Sequence, residues 1–205
     1  MNSEKLKTKS FRELVAASRY ARIVLRFSLF TFSFSLLVIS FSLLTAAQSR
    51  DYFTDEEIEL IRDSQQIDKR MEVLAKIIDR RFAVLNIDVG GGKPAGKDWG
   101  ELPKGTRIEL FSDIRNILQK AIDDIDNLAA RPDSMVIDPD EDKKKKKGFS
   151  DLFPKAVRSL AAAAKRYEPA LKQALDATKD EREKGLISNS ITLCDDIIAA
   201  VPKLK

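Results

Sequence analysis

The chain has 205 residues, with 36 Lys or Arg, 32 Asp or Glu, no histidine and a single cysteine, Cys194. Without histidine the commonest metal ligand and general base are missing, and one cysteine excludes an internal disulfide, a zinc finger and a redox CxxC pair. The charge is uneven: residues 1–49 hold seven basic and two acidic residues, whereas residues 50–205 hold 29 basic and 30 acidic, so the later part lacks the basic face that nucleic acid requires.

Residues 1–26 form a basic leader carrying Lys5, Lys7, Lys9, Arg12, Arg19, Arg22 and Arg26. Phe11, Leu14, Val15 and Ser18 share one helical face within it, a pattern that suits either a surface-lying helix or a flexible leader. Residues 27–47, FSLFTFSFSLLVISFSLLTAA, contain no charge. As a helix this stretch would be about 31 Å long, close to the ~30 Å hydrocarbon core of a bilayer.

Basic residues precede this segment and Asp51, Asp55, Glu56, Glu57 and Glu59 follow it. The positive-inside rule then predicts a cytoplasmic N-terminus, with residues 50–205 extracytoplasmic on a single-pass anchor. A cleaved signal peptide is the alternative, since Thr45–Ala47 or Ala47–Ser49 would serve as a small-residue processing site and leave a secreted or periplasmic product. The alternation of Phe and Ser over residues 30–35 also permits a buried strand, but the uncharged length after a basic flank favours a membrane segment.

Thr54-Asp-Glu-Glu57 is a capping box and predicts a first helix over residues 55–85. Its apolar stripe is Ile67, Met71, Leu74, Ile78, Phe82 and Leu85. Thr106-Arg-Ile-Glu109 opens a second helix over 107–130, with Phe111, Ile114, Leu118, Ala121, Ile125 and Leu128 on one face and Pro132 beyond its end. Ser150 is the expected cap of a third helix, in which Pro154 falls in the first turn and Pro169 predicts a kink over 165–169. Thr178–Glu181 or Asp180–Glu183 opens a fourth, ending near Val201, although a continuous helix from 170 to 201 is an alternative. The absence of large apolar side chains over residues 178–185 favours a turn. Four apolar stripes must bury against one another, and the simplest solution is an up-and-down antiparallel four-helix bundle over residues 50–205.

Two long connections interrupt this pattern. Residues 86–105 hold six of the eight glycines and the only tryptophan, Trp99. Residues 131–149 hold Asp138-Pro-Asp-Glu-Asp142 followed by Lys143, Lys144, Lys145, Lys146 and Lys147. Loops of this length are usually functional or unstructured. If the first helix rises from the membrane, the lysine loop returns to the membrane end, where the five lysines are candidate contacts for anionic headgroups at about 1 kcal/mol each; a solvated charge run is the simpler alternative. Trp99 is expected either to plug the end of the bundle or to contact a protein partner.

The remaining motifs are weak. Gly91 to Lys97 matches GxxxxGK, but Asp98 stands where a magnesium-binding hydroxyl belongs, so no nucleotide is expected. Asp138, Asp140 and Asp142 have EF-hand spacing, but Lys143 replaces the glycine and Phe149 the final glutamate. Paired-iron bundles need Glu-x-x-His, so Asp123, Asp124, Asp126, Asp195 and Asp196 read as surface charges or links between helices. Arg80 and Arg81 suit a helix C-terminus, with Arg81 a candidate partner for a bundle carboxylate. Cys194 reads as a small core hydrophobe with no base to activate it. No metal, cofactor or nucleic acid is expected. The sequence points to a non-catalytic, membrane-tethered helical bundle that binds an unknown protein; a secreted binding protein is the second reading and an enzyme of undefined class the third.

Overall fold

The computed structural model describes residues 51–92, 96–136 and 148–204; the leader 1–26, the apolar segment 27–47 and Lys143 to Lys147 lie outside the described residues. The described part is mainly helical, with five α-helices and no strand. They are α1 (Asp55–Asp63), α2 (Ile67–Val84), α3 (Arg107–Ala130), α4 (Phe149–Ala177) and α5 (Glu181–Ala200), with short 3-10 turns at Lys97–Trp99, Pro132–Ser134 and Val201–Lys203. Among the described residues no helix is long and apolar enough to cross a membrane.

Local chemistry sets most helix starts. The Thr54 and Thr106 hydroxyls accept from the amides of Glu57 and Glu109, whose carboxylates accept in return from the threonine amides, closing both capping boxes. Asp180 caps α5 by accepting from the amides of Arg182 and Glu183 at 2.8 and 3.3 Å. Residues 178–180 are therefore a break, and α4 and α5 are separate helices. The expected cap at Ser150 is replaced by Gly148, whose amide donates to Asp151 Oδ2 at 3.3 Å; Ser150 lies inside the helix. Helix α4 runs through both Pro154 and Pro169.

The expected single helix over 55–85 is two helices. Ser64, Gln65 and Gln66 leave the helical path, and Arg70 Nε donates to the Ser64 carbonyl at 3.0 Å across the break. Helix α1 turns back along α2, bringing Glu57 to Arg81 and the Tyr52 carbonyl to the same guanidinium. The chain thus joins the bundle beside the C-terminal half of α2, not below its N-terminus.

Helices α2 to α5 pack around one core containing Met71, Leu74, Phe82, Phe111, Ile114 and Tyr167 among others. The extensive interfaces are α2 with α3, α2 with α4, α3 with α5 and α4 with α5; α3 and α4 touch only lightly. Ion pairs give the directions. Asp68 meets Lys155 and Asp79 meets Arg166, so α2 and α4 are parallel. Arg107 meets Glu183 near the starts of α3 and α5, which are also parallel. Arg81 near the end of α2 faces Asp113 near the start of α3, so these two are antiparallel. Helices α3 and α4, consecutive in the chain, therefore stand at diagonal corners.

Candidate functional site

Six consecutive residues of α2, Ile77 to Phe82, are all buried. A surface helix exposes two or three residues in any such stretch, so at this level α2 is covered on every side. Three of the six are charged: Asp79, Arg80 and Arg81. Buried charge is tolerated only when paired and hydrogen-bonded, and the three fasten other parts of the chain to α2: Arg80 and Arg81 hold Glu57, and Asp79 holds Arg166.

Arg81 and Arg80 are 1% exposed and share Glu57, which is 0% exposed. Glu57 spans the Arg81 fork through both carboxylate oxygens, one contact at 2.6 Å, and lies 3.1 Å from Arg80 Nε. Arg81 also donates to the carbonyls of Tyr52 at 2.6 Å and Ile77 at 3.2 Å, with Asp113 at 3.9 Å from its Nε. Arg80 donates to the Glu101 carbonyl and lies 5.5 Å from the Trp99 ring centre, a cation–π contact. Burial lowers the Arg80 pKa below its usual value; Glu57 opposes this shift while Arg81 adds to it.

Asp79 receives both terminal nitrogens of Arg166 at 3.3 Å, and Arg166 also donates to the Val89 carbonyl at 2.9 Å. This ties the start of the glycine loop to α2 and α4. A Cβ at Gly91 would lie 2.0 Å from Asp79 Oδ2 and 2.3 Å from Arg166 Nη1. A concavity of about 340 Å³ is bounded by Asp79, Asn86, Asp88, Val89, Gly91 and Gly92. A second, of about 420 Å³, lies where α3, α4 and α5 meet, over Ile122, Ile125, Leu160, Leu193 and Ile197.

The residues singled out from sequence fall in separate places. Trp99 is half-buried, packed against the core beside Arg80. Cys194 is buried on the inner face of α5, and burial pushes its thiol pKa up to about 12. Asp124 pairs with Lys120 at 3.1 Å, Asp123 accepts from Gln119, and Asp126, Asp195 and Asp196 are exposed. Lys97 belongs to a 3-10 turn and not to the start of a helix. Residues 138–142 and Lys143 to Lys147 lie outside the described residues. Among the described residues, no group of three or more Cys, Asp or Glu is arranged to hold a metal ion.

Sequence reasoning placed Arg81 against a carboxylate but did not find Glu57 as the partner. The available signal was the capping box, in which Glu57 already has an assigned role; it performs both roles at once. Comparison with protein-family models, with curated proteins and with solved structures finds no match.

Proposed function

We propose that this chain is a non-catalytic interaction module: a four-helix up-and-down bundle with α3 and α4 at diagonal corners and α1 strapped to its side, tethered to a membrane through residues 27–47, with residues 50–205 on the extracytoplasmic side. The observation that carries the non-catalytic reading is how the buried charge is used. Glu57, Asp79, Arg80, Arg81 and Asp113 are buried and Arg166 is half-buried; they bind one another, the Thr54 amide, the carbonyls of residues 52, 77, 89 and 101, and the Trp99 ring. Such groups fasten loops to a core, whereas a catalytic set aims free functional groups into a cleft.

The tether rests on the uncharged length of residues 27–47 and the basic flank ahead of it. The partner is a protein, with Trp99 and the loop around it as the first place to look. Lys143 to Lys147 are proposed as a solvated charge run, and anionic headgroups are their second reading. Fractionation of cells expressing the full chain, with N-terminal sequencing of the mature product, tests the tether. Membrane retention with residues 1–47 intact is expected. A soluble product beginning at Gln48 or Arg50 replaces the tether with the secreted reading.

A further inference from the structure

The strap α1 and the turn bearing Trp99 sit on the same two guanidiniums. Tyr52 and Glu57 bind Arg81, Glu57 also lies against Arg80, and Arg80 holds the Glu101 carbonyl and the Trp99 ring. The two segments also meet directly: a Cβ at Gly100, whose φ is +58°, would lie 2.5 Å from the Glu56 side chain. Only Ser64 to Gln66 joins α1 to α2, in a non-helical link of three residues.

We propose that α1 and the Lys97–Glu101 segment open and close as one unit, a two-part cover over the C-terminal half of α2 with Glu57 as its key. If α1 swings away on its link, two adjacent guanidiniums lose the carboxylate they share while still enclosed by Trp99 and the Glu101 backbone. Asp113 stays 3.9 Å from Arg81 Nε, but Arg80 loses Glu57, the carboxylate it is paired with; an enclosed cation stripped of its counter-charge is costly, and the cost is relieved by admitting water, which requires the Trp99 turn to lift. The coupling is reciprocal, because a free energy linking two elements acts equally in both directions. Lifting the turn first removes the Trp99 face and the Glu101 carbonyl from Arg80 and opens Glu57 to solvent, which weakens the hold on α1. This inference stands apart from the tether and from the protein partner.

Hydrogen exchange and Trp99 fluorescence of the full chain test it, since Trp99 is the only tryptophan. Glu57→Gln keeps the side-chain shape and removes the charge. It is expected to raise amide exchange over 55–63 and 97–101 together, by tenfold or more, and to red-shift the fluorescence, while α3 and α4 keep their protection. Trp99→Ala is expected to raise exchange over 55–63 from the opposite side. Should Glu57→Gln not fold, Thr54→Ala loosens α1 by removing its cap and leaves the guanidiniums untouched. Loosening of one segment without the other, no change in either, or a uniform rise across all five helices overturns the proposal.

Discussion

Residue chemistry in this protein is governed by enclosure. Cys194 lies on the inner face of α5, and burial first, with Asp195 and Glu168 adding to it, raises its thiol pKa to about 12. The thiolate is the reactive form, so at pH 8 the folded chain presents almost none of it, and the side chain is also shielded from reagents. Cys194 is therefore expected to react with an aromatic disulfide reagent at the rate of opening of the bundle, and with a free cysteine's rate in denaturant. Fast stoichiometric labelling of the native chain at pH 8 contradicts this. Tyr167 follows the same physics: burial, then the nearby Asp79, raises its phenol pKa well above the usual value, and its hydroxyl donates to the Ala75 carbonyl at 2.9 Å.

At the scale of elements, legibility followed the presence of local signals. Both capping boxes were legible because each needs only four residues, and Thr54 and Thr106 cap as their spacing requires. The start of α5 was narrowed to two sites, and Asp180 takes the role because its carboxylate reaches two free amides. The break at Ser64 to Gln66 was not legible. It has no glycine or proline, and the residues on either side keep a helical pattern. It is held by the long-range pairing of Glu57 with Arg80 and Arg81 and by the reach of Arg70 to Ser64. The glycine loop mixes the two cases: its composition marked it as a loop, but not its anchor on Arg166 and Asp79. Gly91 tests that anchor. A methyl group there meets the buried Asp79 carboxylate and the half-buried Arg166 guanidinium, so the ion pair must shift to admit it. Gly91→Ala is expected to destabilise the bundle by about 1–3 kcal/mol, the usual range for overpacking, measured as a shifted urea midpoint at unchanged slope. Gly92→Ala meets no neighbouring atom but has a φ of +77°, so any loss there arises from backbone strain without disturbing Arg166.

For the molecule as a whole, the question is what holds two parallel helices in register when no short turn joins them. Helices α2 and α4 are linked by ion pairs at Asp68–Lys155 and Asp79–Arg166, and both members advance by eleven residues from one pair to the next. Two pairs at equal spacing fix register in a way that interchangeable apolar contacts do not. The first pair also makes the bundle sensitive to acid. Burial pushes the Asp68 carboxyl up, but hydrogen bonds from Lys155 and Gln66 and the charge of Lys155 outweigh this and hold its pKa below the usual value. The unfolded chain therefore binds the Asp68 proton at a higher pH than the folded chain does. The stability this residue contributes is fully present above the unfolded carboxylate value of about 3.9 and is lost as pH falls through the lower folded value. Urea unfolding of the full chain from pH 6 to pH 2 should show stability falling below about pH 4, with a shallower fall in Asp68→Asn. Lys155→Met removes the main group that holds the folded Asp68 pKa down and leaves burial to raise it, so the Asp68 share of the acid fall is expected to vanish or reverse, with lower stability at pH 6. An unchanged acid limb in both variants would mean that the Asp68–Lys155 pair contributes nothing to the acid sensitivity of the fold.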